Sequence, residues 1–378
     1  MIDIRSSIAC NLDSHILRAA LPLFADEKVG AIEWSFDALI NQRSMPDWFG
    51  ELLRTYSEAG CLVGHGVFYS LFSGRWTGAQ QQWLDQLRSL SRTYRFDHVT
   101  EHFGFMTGAD FHKGAPMSIP FTESTLAIGR DRLVRLQDAC RCPVGLENLA
   151  FAYTIDEVNR HGAFLSQLIE PVNGFIILDL HNLYCQSRNF GVEPDALLSL
   201  YPLYRVREIH LSGGSWAPSA VEPGRTIRRD THDDAVPADV FRLLKQAIDL
   251  CPNLRYVVLE QLGAGLQTDG QQSQFQQDFL WMDHIVQTAN QIRNSLINHS
   301  FLPRRFHVPD SSPLEDPLLY AQQLELSDIL ETSVSCAQAQ QRLAGSGLAR
   351  SNWAVETWQP AMLETALAIA QKWKNGFD

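Results

Sequence analysis

The chain is 378 residues long, 45% hydrophobic and 20% charged, which is enough to bury one barrel of roughly 250 to 300 residues and leave an additional piece. A formal net charge of −12 disfavours a nonspecific grip on a polyanion, so nucleic acid is not an expected partner. There is no run of about 18 uncharged apolar residues to cross a membrane, and no basic segment followed by a long apolar core at the start, so no membrane partner is expected and the expected compartment is the cytoplasm.

In chain order, short apolar runs alternate with amphipathic segments. Strands are expected at residues 8–12, 31–35, 62–65, 98–103, 143–147, 175–182, 206–211 and 256–260. Ile16, Leu17, Ala20, Leu21 and Leu23 fall at helical spacing between the first two, and residues 80–94, 124–140 and 237–250 fit connecting helices. Eight strands alternating with helices predict a parallel α/β sheet closed as a (β/α)8 TIM barrel. An open doubly wound sheet is disfavoured because no Gly-x-Gly-x-x-Gly follows the first strand, and Gly213-Gly214 is too little to cradle a phosphate. The last barrel helix is expected over 271–298, followed by a linker over 299–317 punctuated by Pro303, Pro309, Pro313 and Pro317, and by a short, mostly helical C-terminal extension over 318–378. The expected division is thus a catalytic barrel at 1–298, the linker, and the extension.

The seven cysteines are scattered without paired C-x-x-C spacing, which argues against a disulfide framework or a zinc knuckle. The unusual residues lie at the C-terminal strand ends, where a barrel keeps its chemistry. His65 ends the third strand, Glu101-His102 the fourth, Glu147-Asn148 the fifth, Asp179 with His181-Asn182 the sixth, His210 the seventh and Glu260 the eighth, and the loop after the seventh adds Asp230-Thr231-His232. Any one such His is more often a hydrogen-bonded structural residue, the reading that fits His15, His98, His112, His161, His284, His299 and His307. Imidazoles and carboxylates gathered at one barrel mouth suit iron, zinc or manganese.

Spacing sorts near neighbours. In an extended segment Asp230 and His232 face the same way, whereas only one of Glu101 and His102, and one of Glu147 and Asn148, points inward. Asp179 and His181 share a face if the sixth strand continues; if it turns after Leu180, Asn182 swings in instead.

The motif series His65-Gly66, Glu101-His102, Glu147-Asn148, Leu178-Asp179 with Asn182-Leu183-Tyr184 and Asn189, Glu208-Ile209-His210-Leu211-Ser212-Gly213, Asp230-Thr231-His232-Asp233 with Val236-Pro237, and Leu259-Glu260 resembles the multinuclear non-haem iron-dependent oxidative enzymes, which modify ribosomally made peptides and include the methanobactin-forming oxidase. The resemblance runs over about residues 1–295 and leaves the tail uncovered. It implies two or three iron ions held by His65, His102, Glu147, Asp179, Asn182, His210, Asp230, His232 and Glu260, with O2 as co-substrate. It also implies a precursor peptide as substrate, oxidised at a residue that is often cysteine, and a separate protein that helps present the peptide. Under it His181 becomes a structural neighbour of the ligands. The first strands and the loop 103–121 diverge from the family pattern.

Two other readings compete. The barrel with its His, Glu and Asp series is also similar to apurinic endonucleases and xylose-isomerase-like enzymes, in which a divalent metal supports hydrolysis or isomerisation. Against the endonuclease stand the acidic chain and Asn182, where a His is expected. A noncatalytic metal-dependent scaffold would need a coordinatively closed site, an expensive use of a barrel mouth.

Overall fold

The computed structural model describes residues 3–39, 45–108, 113–292, 299–306 and 311–375. His112, His307, Pro309 and the end of the expected helix over 271–298 lie outside the described residues.

Eight parallel strands close into a barrel: β1 (Arg5–Ala9), β2 (Ala31–Trp34), β3 (Leu62–Gly66), β4 (Val99–Glu101), β5 (Val144–Glu147), β6 (Phe175–Asp179), β7 (Val206–Leu211) and β8 (Tyr256–Leu259), with β8 pairing back on β1. Parallel strands covered on both faces need near-continuous apolar runs, and in β6 every residue is buried. The surrounding helices are α1 (Ser14–Ala25), α2 (Asp47–Glu58), α3 (Gly78–Thr93), α4 (Glu123–Cys140), α5 (Ile155–Ile169), α6 (Leu180–Phe190), α7 (Ala238–Leu250) and α8 (Asp269–Ile292), with a five-residue helix at Pro194–Leu198. Their starts are written locally: Thr77 and Gln80 form a capping box on α3, and Asp13 accepts from the His15 and Ile16 amides at α1.

Two expected strands are corrected. The first lies at Arg5–Ala9 rather than 8–12, because polar residues inside it are satisfied by distant partners: Ser6 Oγ donates to Asp283 on α8 at 2.7 Å, and Arg5 Nη1 to the Gly30 carbonyl at 3.1 Å. The sixth ends at Asp179, not Asn182, because the Asp179 side chain accepts from the Asn182 amide at 2.6 Å and starts α6 at once. The loop 103–121 carries a small hairpin of Phe105–Met106 with Pro116–Met117, and a second hairpin after β7 pairs Trp216–Pro218 with Thr226–Arg228.

The extension is packed against the barrel. Phe301 is buried at the N-terminal end of the barrel against Phe175, with ring centroids 5.7 Å apart. The chain then climbs along α4, where Arg135 donates to the Ser311 carbonyl at 2.9 Å and Arg132 to that of Leu314 at 2.7 Å. Helices α9 (Pro317–Thr332), α10 (Cys336–Ala344) and α11 (Pro360–Trp373) follow at the mouth. Gln323 of α9 accepts from the Gly74 amide and donates to the Phe72 carbonyl, and Trp358 stacks on Tyr153 with centroids 3.5 Å apart. Among the described residues no helix is long and apolar enough to cross a membrane.

Candidate metal centre

The strand ends converge on a cavity of about 290 Å³ lined by His65, His102, Glu147, Asn182, Asp230, His232 and Glu260, among other residues. Asp179 and His210 lie beneath it, with no exposed surface. Two groups of donors share Glu147. His65, His102 and Glu147 form one, and Glu147, Asp179, His210 and Glu260 the other, with the donor atoms of each group within 4.8 Å of one another. Glu147 Oε2 stands 3.4 Å from His65 Nε2 and 3.5 Å from His102 Nε2, while Glu147 Oε1 faces His210 Nδ1 at 4.0 Å.

Neighbours leave the right nitrogens free. His102 Nδ1 donates to the Gly66 carbonyl at 3.0 Å, so Nε2 is the nitrogen turned to the cavity and is unprotonated whenever the ring is neutral. Thr100 donates its hydroxyl to the Gly64 carbonyl and accepts from His65 Nδ1 at 2.8 Å, which aims His65 Nε2 the same way.

Asp230 and His232 belong to neither tight group but sit beside the second: His232 Nε2 is 2.9 Å from Asp230 Oδ1, and His232 Nδ1 is 3.8 Å from Glu260 Oε2. The expectation that an extended segment aims both inward is corrected, since His232 has φ 51°. The two converge because the loop folds back over Gly213 and Gly214, where an added Cβ would lie 2.1 Å from the Asp234 carbonyl and 2.2 Å from that of Arg229. His181 donates from Nδ1 to Asp230 at 3.0 Å and accepts at Nε2 from Arg228, which leaves it no free donor atom and makes it the brace of Asp230. Asn148 braces the end of β6 in turn, accepting from the Asp179 amide at 2.7 Å.

Sequence reasoning missed Glu33 and Glu208, which form a third group with His210. Glu33 Oε2 lies 3.1 Å and Glu208 Oε1 3.7 Å from His210 Nε2, so these carboxylates attract that side of the ring by charge, without a hydrogen bond, while Nδ1 faces Glu147 and Glu260. Two signals were present: a carboxylate inside the apolar strand Ala31-Ile32-Glu33-Trp34, and the two-residue spacing that puts Glu208 on the face of His210. His98 supports Glu208 from below at 2.6 Å.

These residues fit a metal cluster on their own chemistry. Glu147 Oε2, Asp179 Oδ2, Asn182 Oδ1 and His210 Nδ1 are buried without a hydrogen-bond partner, a costly arrangement that a cation relieves. Asn182 Nδ2 donates to Glu147 Oε1 at 3.1 Å and to the Asn148 carbonyl, so its free oxygen is turned toward the donors. Burial, and then the charges of Asp230, Glu147 and Glu260, push the Asp179 carboxyl well above its ordinary range. Burial also opposes charge on Glu147, but the imidazoles of His102, His65 and His210 outweigh it and hold that carboxyl low. Burial draws His65 and His232 down, yet the carboxylates facing them raise each to about 10.

Metal ions therefore compete with protons. Filling the cluster at pH 7 is expected to release at least the protons carried by His65 and His232, measured as a calorimetric heat that varies with buffer ionisation enthalpy. A buffer-independent heat would contradict this. In the metal-free protein the two histidines contribute stability in full below about 6.5, and that contribution is lost as pH rises through about 10. The depressed Glu147 contributes above about 4.5, and its contribution is lost as pH falls through its lower folded value. The joint contribution of these three groups is thus greatest between roughly pH 4.5 and 6.5, against the opposing penalty of the raised Asp179 carboxyl, which sets in above its unfolded value.

The comparisons with known proteins bear on the fold and the family. Among solved structures, an L-ribulose 3-epimerase is similar in fold alone, with TM-score 0.50 and 12% identity over 77% of this chain and 95% of that one. A UPF0276 protein of Caulobacter vibrioides is 29% identical over 185 residues, 48% of this chain and 62% of that protein. Another from Chromobacterium violaceum is 30% identical over 198 residues, 52% of this chain and 68% of that protein. The chain thus spans about 62% of the length of the Caulobacter relative. Residues 26–262, well over half of the chain and the part that carries every candidate metal donor, match the profile described as RiPP precursor modification enzyme MbnB/TglH/ChrH, and the chain belongs to that family.

Proposed function

We propose that this protein is an O2-dependent iron enzyme that oxidises a residue of a ribosomally made precursor peptide, with cysteine the first residue to test. The observation that supports it most is the sharing of Glu147 between two donor groups at the floor of one open cavity, an arrangement suited to neighbouring metal ions. His65, His102, Glu147, Asp179, Asn182, His210, Asp230, His232 and Glu260 would hold two or three ions. Iron bound there supplies the redox chemistry that couples O2 to the substrate.

The chain's own groups do the rest. Glu33 and Glu208 attract the His210 ring by charge, the Arg228–His181 pair fixes Asp230, and the apolar walls Phe103, Leu149 and Phe151 keep bulk water from the reacting residue. No protein nucleophile is required. A four-electron oxidation removes four electrons and four protons from the peptide and returns O2 as two waters, whereas a two-electron oxidation returns it as hydrogen peroxide. The proposal extends to a catalytic barrel at 1–298 with a linker at 299–317 and an extension at 318–378, to a cytoplasmic site of action, and to a separate protein that presents the peptide.

The test is anaerobic incubation of the iron-loaded protein with the precursor peptide, followed by mass measurement. The mass change is expected only after O2 is admitted, and an equal change without O2 would sink the idea. Turnover of a sugar or of abasic DNA by the zinc-loaded protein under the same exclusion of air would favour the divalent-metal isomerase or hydrolase reading instead.

A further inference from the structure

The cavity over the metal groups is not built by the barrel alone. Thr365, Ile369, Lys372 and Trp373 of α11 line it, at a spacing that puts all four on one helical face. The other face, with Leu363, Ala366, Leu367 and Ala370, is buried in the core. Both ends of the helix are tied to loops at the barrel mouth. At its start Glu222 accepts from the Ala361 amide at 3.1 Å, and Glu364 accepts from Ser219 Oγ at 2.7 Å. At its end the Trp373 carbonyl accepts from the Gly114 amide at 2.9 Å. A helix anchored to the loop after β7 and to the loop after β4 spans the entrance as a fixed wall. It lies outside the family match at residues 26–262.

We infer that α11 is a substrate-recognition wall, and that it selects an extended peptide with an apolar side chain beside the reacting residue. The inference rests on the peptide-oxidation reading for the identity of the reacting residue. The cavity that contains Ile369 and Trp373 also contains His65, His102 and Glu147, so a side chain that reaches the metal donors brings its neighbours against α11. Phe103, Pro116 and Phe151 line the same cavity with apolar surface, and Phe151 packs against Ala361 and Met362 of α11, so a flanking residue beside α11 meets further hydrocarbon there. Burial of an aliphatic side chain in such a slot favours it over a small polar one by roughly tenfold. The cavity's size, about 290 Å³, admits a reacting side chain and its immediate neighbours and not a folded domain.

The probes are two capped tripeptides, N-acetyl-Leu-Cys-Leu amide and N-acetyl-Ser-Cys-Ser amide, titrated by calorimetry into the full iron-loaded chain without O2. The wild type is expected to bind the leucine peptide roughly tenfold more tightly. Ile369→Ser should bring that ratio close to one, and Thr365→Trp, which fills the cavity, should weaken both peptides, with iron content unchanged in each variant. A wild type that binds neither peptide or treats them alike, or a preference that survives both substitutions, would overturn the wall. A third peptide with serine in place of cysteine separates the two claims. If it binds as tightly as the cysteine peptide, with the same dependence on Ile369, and neither is altered once O2 is admitted, the wall stands and the cysteine-oxidation reading fails.

Discussion

Replacing Glu147 by Gln is expected to remove at least one metal ion per chain and to lower turnover by at least about 100-fold, more than the loss of a supporting residue around a metal costs. The carboxamide keeps the shape and can still accept the hydrogen bond from Asn182 Nδ2. It loses the negative charge and the second equivalent oxygen through which Glu147 faces His65 and His102 on one side and His210 on the other. Because both donor groups contain this residue, the defect should appear in both. Glu101→Gln is the matched control. That carboxyl is as buried as Glu147, but burial and the charge of Asp37 push its pKa well above the usual range where the imidazoles hold that of Glu147 low, and it belongs to none of the donor groups. Metal analysis and turnover of the two variants side by side decide the matter. Full metal content in the Glu147 variant, or equal losses in both, would remove Glu147 from the centre of the site.

How much of this was legible in the sequence depended on how locally each feature is encoded. The strands at Val144 and Tyr256 could be read because burial on both faces demands near-continuous apolar runs, and those at Leu62 and Val206 because apolar residues still begin each and carry it to its polar end. The first strand was displaced by three residues because Ser6 is satisfied by Asp283, a partner 277 positions away that no window of sequence contains. The polar strand ends pointed to the mouth, and the resemblance sorted them, yet the side chains that hold them were hidden. His181 was visible as a titratable group, but its role depends on Arg228, 47 positions on. Glu208 stood in the motif series and Glu33 inside an apolar strand, but neither showed its role until closure of the barrel set both against His210. The extension was legible as helix from its periodicity, although α10 was not singled out, and its placement across the mouth was illegible because it depends on contacts such as Glu222 with Ala361.

Asp179 carries two duties on two oxygens, and substitutions should separate them. Its Oδ1 caps α6 through the Asn182 amide, while Oδ2 is buried without a partner among Glu147, His210 and Glu260. Asn caps a helix about as well as Asp, so Asp179→Asn should keep α6 and lose the charged ligand. In the metal-free protein the carboxyl is pushed well above its ordinary value by burial and by its acidic neighbours. An acid raised in the folded state destabilises that state progressively as pH climbs above its unfolded value near 4. The neutral Asn removes that penalty, and the metal-free variant should melt above the metal-free wild type at pH 7. The stabilisation that ferrous iron confers on the wild type should be largely gone in the variant, because a ligand stabilises only in proportion to its binding. Asp179→Ala should lose the same metal-dependent increment and also the cap, at a cost of about 1 kcal/mol. Melts with and without iron on the three proteins give the order directly. An Asn variant that melts lower than wild type without metal, yet gains as much as wild type from iron, would show that Asp179 serves the helix alone.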